Sequence, residues 1–362
     1  MSILSTAEQV GIGHPDKFCD RVSDTLLTHV IQEDPEAHCA IETMAKGNTV
    51  VVAGEVSTEA TEMVSLEHVE KVVSKLWEST YNSTNGLNII NLLEKQSPEI
   101  EEAVDYGGAG DQGIMVGYAV DSPETNYLPR EYYLATDLAK EANQKGIGVL
   151  GLDLKTQVTL DQKGNLDHVV FSSQKLEGVE NETFYDEMYD IAWNWFNKNN
   201  LEVHNEDALE RVLSINPGGM WTIGGPEADS GLTGRKIIAD AYGPFVPQGG
   251  GCWSGKDFTK VDRSGAYMAR VIAKSLVINS GMPEATVQLA YEIGSLYPVS
   301  VQVWSQGVPQ YTLGREIARK IDLTPEGIKE LLGLDKVKYS DYCVFGHFTH
   351  ETAPWETTQI FI

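Results

Sequence analysis

Apolar residues recur at helical spacing in several stretches of this chain and alternate with polar residues in others. The clearest helix is predicted over residues 15–33, where Pro15 suits the first turn. The apolar positions of this stretch recur every four residues and share one face: Phe18, Val22, Leu26 and Val30. Similar patterns predict helices at four further places along the chain: residues 62–77, 131–145, 183–197 and 260–279.

The alternating segments predict strands, and several of these pair as hairpins. Residues 37–56 form one hairpin around the turn Lys46–Thr49, and residues 155–174 form another that turns at 161–165. Further strands are predicted near 287–293 and 299–303. Hairpins followed by helices, three times over, indicate an α+β fold whose sheets carry helices on one face.

Charge and composition narrow the function classes. The 362 residues include 27 Lys and Arg against 53 Asp and Glu, a net charge of −26, which argues against nucleic acid and anionic membranes as partners. The four cysteines lie far apart, so zinc ribbons and disulfide frameworks are not expected. No apolar run approaches a membrane span, and no signal peptide is evident, so we expect a cytoplasmic protein.

Glycine is concentrated in three short windows, which predict site-forming loops. Residues 107–117, 218–234 and 243–255 hold 16 of the 34 glycines, and glycine lets a ligand approach the backbone closely. Residues 235–270 carry six Lys or Arg and only three acids, so this acidic chain keeps one cationic segment that fits a small polyanion.

Two glycine patterns resemble nucleotide-binding motifs without meeting their requirements. Gly108–Gly113 fits the dinucleotide pattern, but a strand rather than a helix is predicted after it. Gly250–Lys256 fits the P-loop pattern, but Asp257 stands where a Ser or Thr must hold magnesium. We therefore expect neither a Rossmann domain nor a P-loop.

Chemistry-bearing residues cluster at the first helix and the first hairpin. Gly13-His14-Pro15-Asp16-Lys17 opens the helix, where free N–H groups favour anions, His14 can donate a proton, and Asp16 can hold a divalent cation. The alternative is that these residues only cap the helix. If Gly47–Asn48 is a two-residue turn, residue 42 pairs with residue 53, and Glu42 and Glu55 share a face that favours a cation.

Four motifs, in this order, resemble methionine adenosyltransferase, the S-adenosylmethionine synthetase family. They are Gly13-His-Pro-Asp-Lys17, Gly108-Ala-Gly-Asp-Gln-Gly113, Gly231-Leu-Thr-Gly-Arg-Lys236 and Gly249-Gly-Gly-Cys-Trp-Ser-Gly-Lys-Asp257. The resemblance implies three similar α+β sections in a pseudo-threefold arrangement, which we place at residues 1–98, 107–224 and 225–362. It also implies a homodimer or homotetramer with active sites between subunits.

The implied reaction joins ATP and L-methionine. The sulfur attacks the ribose 5′ carbon in line, tripolyphosphate leaves whole and is then cleaved to phosphate and pyrophosphate, and two Mg²⁺ per site and one K⁺ per subunit assist. An inactive relative that binds ATP or methionine as an assembly subunit is the alternative.

The resemblance also implies roles for individual residues. Those near the leaving group and its charge are His14, Lys155, Arg235, Lys236 and Lys256. Those implied to bind the nucleotide also include Asp153, Trp221, Asp229 and Cys252. Those near methionine are Glu55, Gln96, Asp111, Asp229 and Lys260. Asp16 and Asp262 match the Mg²⁺ ligands and Glu42 the K⁺ ligand.

Several positions depart from the family pattern. Ile12 stands where the family has Glu, Trp221 where it has Phe, and Cys252-Trp253 where it has Ala-Phe. The segment between Pro98 and Gly108, which carries a mobile lid in the family, is several residues short. None of these changes removes a charged group assigned above.

Overall fold

The chain forms three four-stranded sheets with helices packed against them. The structure, a computed structural model, describes residues 4–82, 86–95, 107–201 and 206–361, with the side chains of 206–208 left out. The strands are β1 Leu4–Val10, β2 His38–Lys46, β3 Thr49–Ser57, β4 Asn88–Glu94, β5 Gly113–Val120, β6 Leu150–Asp161, β7 Leu166–Lys175, β8 Leu213–Ile215, β9 Gly231–Leu232, β10 Glu284–Tyr291, β11 Ser300–Ser305 and β12 Val308–Pro309.

A long helix precedes the central hairpin of each sheet, and further helices follow the hairpins or fill the connections. The α-helices are α1 Pro15–Glu33, α2 Leu66–Tyr81, α3 Arg130–Lys145, α4 Asn181–Lys198, α5 Glu206–Val212, α6 Gly225–Ala228, α7 Ile237–Asp240, α8 Val261–Ser280, α9 Tyr311–Lys320, α10 Pro325–Leu332 and α11 Pro354–Thr357. Single 3₁₀ turns occur at Thr61–Val64, Pro123–Thr125, Leu334–Lys336 and Tyr339–Asp341.

The three sheets exchange strands in a cycle. Each is built on a hairpin: β2–β3, β6–β7 or β10–β11. The strand that precedes each long helix joins the next hairpin instead of its own, so β1 pairs with β6, β5 with β10, and β9 with β2, all antiparallel. The fold class is therefore confirmed as three similar α+β units, and their pairing follows a pseudo-threefold pattern.

Capping and burial explain why α1 and α8 form where the sequence predicts them. His14 caps α1 and Pro15 occupies its first turn, while α8 ends at Gly281 in the left-handed conformation. Both helices contribute to one continuous apolar core that also includes β2, β3, β5 and β10. A second core lies between the β6–β7 hairpin and helices α3 and α4. Because α1 and α8 pack in the same core, their positions relative to each other are fixed. The glycine-rich segments 231–236 and 249–256 lie beside these two helices.

Several local predictions are confirmed with small shifts in their ends. Residues 15–33 are helical as expected, and β2 and β3 meet at a two-residue turn with Glu42 opposite Ala53. Gly113–Val120 is a strand, which excludes the Rossmann pattern there. No helix follows Lys256 until Val261, which excludes a P-loop.

Candidate active site

The site begins where β1 passes into α1. The N–H groups of Gly11 and Gly13 donate to the carbonyls of Leu154 and Leu152, which extends the pairing with β6 to the start of the helix. This brings His14 close to Lys155 of β6. A helix start with adjacent cations is suited to a polyphosphate.

His14 is held in one tautomer and in its neutral form. Its Nδ1 accepts the backbone N–H of Asp16 at 3.2 Å, so the ring proton lies on Nε2. Burial, followed by the charges of Lys236 and Lys155, lowers the pKa of His14 to about 3. His14 therefore presents an N–H donor and no positive charge at neutral pH.

Asp16 joins helix α1 to the cationic loop that follows β9. Its Oδ2 lies 2.6 Å from Lys236 Nζ, and its Oδ1 lies 3.4 Å from Arg235 Nε. Although burial opposes ionisation, the hydrogen bonds from Lys236 and from the N–H of Leu232 lower the pKa of Asp16. Asp16 is thus a buried carboxylate with two cations beside it.

A second glycine-rich loop, Gly249–Lys256, carries another carboxylate–lysine pair. Lys256 Nζ lies 2.5 Å from Asp262 Oδ2. Burial alone would lower the pKa of Lys256, but the carboxylates of Asp262 and Asp111 outweigh it and raise that pKa. A Cβ on Gly251 would lie 2.1 Å from Asp262 Oδ1, so only glycine allows the loop this close to the carboxylate.

Strand β6 contributes a further acid, Asp153, whose backbone lies against Gly13. Asp153 is buried, and its Oδ2 accepts the N–H of Gly225 at 2.8 Å. Burial raises the pKa of Asp153 to about 6, and the nearby Asp229 carboxylate acts in the same direction. Trp221 is half-buried, with its carbonyl accepting the N–H of Lys175.

Glu42 and Glu55 lie on the exposed face of the sheet formed by β9, β2, β3 and β4. Glu42 is level with Ala53 and Leu92, and Glu55 is level with Glu94. The predicted shared face of the two glutamates is therefore confirmed.

Of the other predicted residues, Lys260 forms an ion pair of its own and Cys252 lies within the second loop. Lys260 Nζ pairs with the buried Asp257 at 2.8 Å, and Cys252 packs against Gly234, where an added Cβ would lie 2.5 Å from the Cys252 Cβ. Burial raises the pKa of Cys252 to about 12, so its thiol stays protonated. Gln96 and the short lid segment lie outside the described residues.

Three buried aspartates of the site region were not selected from the sequence. Asp20 and Asp24 follow Asp16 at intervals of four residues on α1, and Asp257 accepts the N–H groups of Cys39 and Thr259. The four-residue spacing of these acids was a usable signal, because it places Asp16, Asp20 and Asp24 on one face of α1, and acids are seldom buried unless they have partners.

The carboxylates that could bind a metal ion stand singly in this region. Among the residues that the structure describes, no group of three or more His, Cys, Asp or Glu side chains could hold a metal ion. Asp16 and Asp262 are nevertheless hard oxygen donors beside cationic loops. Mg²⁺ at phosphate sites commonly takes only one or two carboxylates and completes its shell with phosphate oxygens and water. These residues fit metal that arrives with a polyphosphate.

The chain matches three family models in succession. They are described as S-adenosylmethionine synthetase N-terminal domain, central domain and C-terminal domain, and they match residues 2–98, 106–221 and 223–357. Within the described residues, no helix is long and apolar enough to cross a membrane.

Whole-length relatives carry the same name. The S-adenosylmethionine synthase of Mycoplasmopsis pulmonis is 39% identical over 376 residues, covering 98% of this chain and 96% of the relative. That of Treponema denticola is 38% identical, covering 98% and 95%. A solved structure of an S-adenosylmethionine synthetase from Campylobacter jejuni, described as unusual, superposes with a TM-score of 0.87 at 30% identity, covering 98% and 96%.

Proposed function

Because the chain belongs to the S-adenosylmethionine synthetase family, it makes S-adenosylmethionine from ATP and methionine, and we propose that His14 stabilises the departing tripolyphosphate. The observation that carries this proposal is the hydrogen bond from the Asp16 N–H to His14 Nδ1, which leaves Nε2–H as the free donor. A neutral donor at a helix start can strengthen its hydrogen bond as charge develops on the leaving oxygen.

The reaction is an in-line displacement. The methionine sulfur gives its lone pair to the ribose 5′ carbon, the bond from that carbon to the bridging oxygen breaks, and the oxygen keeps the electron pair. Tripolyphosphate then carries the new charge, which the cations of the two loops and β6 are suited to offset: Lys155, Arg235, Lys236 and Lys256. Water then cleaves it to phosphate and pyrophosphate.

We assign the Mg²⁺ ligands to the carboxylates already beside these cations, and the K⁺ ligand to a glutamate of the β2–β3 hairpin. Asp16 and Asp262 would hold two Mg²⁺ together with the polyphosphate, and Glu42 would hold one K⁺ on the exposed sheet face. When bound, Mg²⁺ supplies positive charge that screens the phosphates and favours departure of the leaving group. The lysines that pair with Asp16 and Asp262 are then free to contact phosphate oxygens.

The remaining site residues divide between nucleotide and methionine. We assign four residues to the nucleotide side: Asp153, Trp221, Asp229 and Cys252. The hydrogen bond from the Gly225 N–H to Asp153 supports this assignment, because it holds the chain that follows Trp221 against β6. Glu55, Gln96, Asp111, Asp229 and Lys260 are assigned to the methionine side.

A second copy of the chain is proposed to cover the exposed face of the β9–β2–β3–β4 sheet. Met44, Val51 and Ile90 form one row on this face, next to the row containing Glu42 and Leu92. Leu92 is 55% exposed and Met44 is 46% exposed, an apolar area typical of an interface. A partner there would also meet Glu42 and Glu55, so the active site would lie between subunits of a dimer or a pair of dimers.

The cytoplasm is the proposed location. All four cysteines are described and none forms a disulfide, which agrees with a reducing compartment. The alternative of an inactive binding relative is less well supported, because buried charged groups such as Asp16 and Asp153 would be costly to retain without a use.

The proposal is tested by replacing His14. His14→Asn keeps a side chain that can cap α1 but removes the Nε2–H donor, so kcat for adenosyl transfer is expected to fall about a hundredfold or more with little change in the KM for ATP. His168→Asn, on β7 and away from the site, is the matched control. A His14→Asn enzyme with kcat within a few-fold of wild type would disprove this role.

A further inference from the structure

One face of α1 carries three aspartates, Asp16, Asp20 and Asp24, one helical turn apart. We call them the aspartate row. Each carboxylate accepts a backbone N–H from a glycine-rich segment: Leu232 at the end of β9 donates to Asp16 at 2.9 Å, Gly234 to Asp20 at 2.8 Å, and Gly255 to Asp24 at 2.8 Å. The helix therefore holds both loops by their main chain.

Asp20 is not required to balance a buried cation. Its second oxygen lies 2.9 Å from Lys17 Nζ, but Lys17 also lies 2.5 Å from Asp240, and all three side chains are buried. One ammonium therefore faces two carboxylates, and a carboxylate in excess is costly to bury. The hydrogen bond that Asp20 accepts from the Gly234 N–H is therefore the contact that explains why Asp20 is present.

Gly234 lies at a contact between the two loops. Its φ of +80° is in the left-handed region, and an added Cβ would lie 2.5 Å from the Cβ of Cys252 in the second loop. Arg235 and Lys236 follow directly. A shift of Gly234 away from α1 would therefore move both cations.

Asp24 makes the equivalent contact with the second loop. It accepts the N–H of Gly255, the residue before Lys256, and it binds Arg263 Nη2 at 2.7 and 2.8 Å. An added Cβ on Gly255 would lie 1.9 Å from the carbonyl oxygen of Ile41, so the loop has no free space on that side.

We propose that Asp20 and Asp24 are positioning residues, which set Arg235, Lys236 and Lys256 on the polyphosphate without touching substrate themselves. The consequence for rate rests on the proposed function of those cations. The consequence for the loops does not, because it follows from the hydrogen bonds alone.

The kinetic test compares Asp20→Ala with Asp20→Asn. Asparagine keeps a carbonyl oxygen that can accept the Gly234 N–H, and Lys17 keeps Asp240. We expect Asp20→Ala to lower kcat at least tenfold and raise the KM for ATP, with the KM for methionine within twofold of wild type. Asp20→Asn is expected to restore most of kcat. Equal losses in both variants, or none in Asp20→Ala, would overturn the proposal.

A structural readout separates loop positioning from general loss of stability. Hydrogen exchange of the peptide over residues 231–237 should be at least tenfold faster in Asp20→Ala. Val30→Ala, a buried substitution in the last turns of α1, should leave that peptide unchanged. Unchanged exchange in Asp20→Ala contradicts the proposal whatever the kinetics show.

A double-mutant comparison links the aspartate to the cations it positions. In a Lys236→Ala background, Asp20→Ala should lower kcat little further, because the cation that Asp20 positions is already gone. In a Lys155→Ala background, Asp20→Ala should lower kcat by its full factor, because Lys155 lies on β6 and does not depend on Asp20. Full additivity with Lys236→Ala would oppose the proposal. If Lys236→Ala alone were as active as wild type, the role proposed for Lys236 would be wrong. The hydrogen exchange of residues 231–237 would then still show whether Asp20 positions this loop.

Discussion

At the scale of single residues, Asp153 shows how the site opposes stability. Burial raises its pKa from 3.8 to about 6, so the folded protein holds this proton more tightly than the unfolded chain does. Asp153 therefore makes its full contribution to the free energy of unfolding below about pH 4, where it is protonated. That contribution is lost as the pH rises through about 6 and the buried carboxyl ionises. A difference of about two pKa units corresponds to roughly 3 kcal/mol.

Asp153→Asn should therefore raise the stability of the folded protein while weakening its use of ATP. The amide keeps an oxygen for the Gly225 N–H and removes the buried charge. We expect the free energy of unfolding to exceed that of wild type by up to about 3 kcal/mol at pH 7.5 and to match it near pH 4, with a raised KM for ATP. Urea unfolding at several pH values measures this. A stability difference that does not vary with pH would contradict the assignment.

At the scale of secondary-structure elements, the exposed face of β2, β3 and β4 combines apolar residues with Glu42 and Glu55. Leu92→Glu places a charge on the edge strand β4, in the same row as Glu42, and should prevent association because a buried unpaired charge is costly. We expect a monomer by analytical ultracentrifugation and loss of most synthesis of S-adenosylmethionine.

Leu66→Glu is the matched control for that substitution. Leu66 begins α2 and is 51% exposed, close to the 55% of Leu92, but it lies in the helix layer. Its association and activity should equal those of wild type. A Leu92→Glu protein that sediments with wild type would exclude this face as the interface.

Local elements were largely predictable from the sequence because their causes are local. Pro15 and the four-residue apolar spacing fixed α1, and the Gly47–Asn48 turn fixed the register that places Glu42 opposite Ala53. The aspartate row was not predicted, because the partners of Asp20 and Asp24 lie more than 200 positions away, at Gly234 and Gly255. Periodicity carries no information on such contacts.

At the scale of the whole molecule, the cyclic exchange of strands explains how the site is assembled. β1 crosses to β6 and brings His14 to Lys155, while β9 crosses to β2 and brings Arg235 and Lys236 to Asp16. No helix or strand of one unit carries all of these groups. The pairing was not predicted because β9 has only two residues, too few to show a strand pattern.

The most direct test of the central claim is a rapid-quench experiment on the wild-type protein. Enzyme in excess is mixed with ATP, L-methionine, Mg²⁺ and K⁺, and the products are separated at successive times. We expect S-adenosylmethionine and tripolyphosphate to form first in equal amounts, followed by phosphate and pyrophosphate as tripolyphosphate disappears. Phosphate that precedes S-adenosylmethionine, or ADP or AMP formed without it, would contradict the proposed reaction.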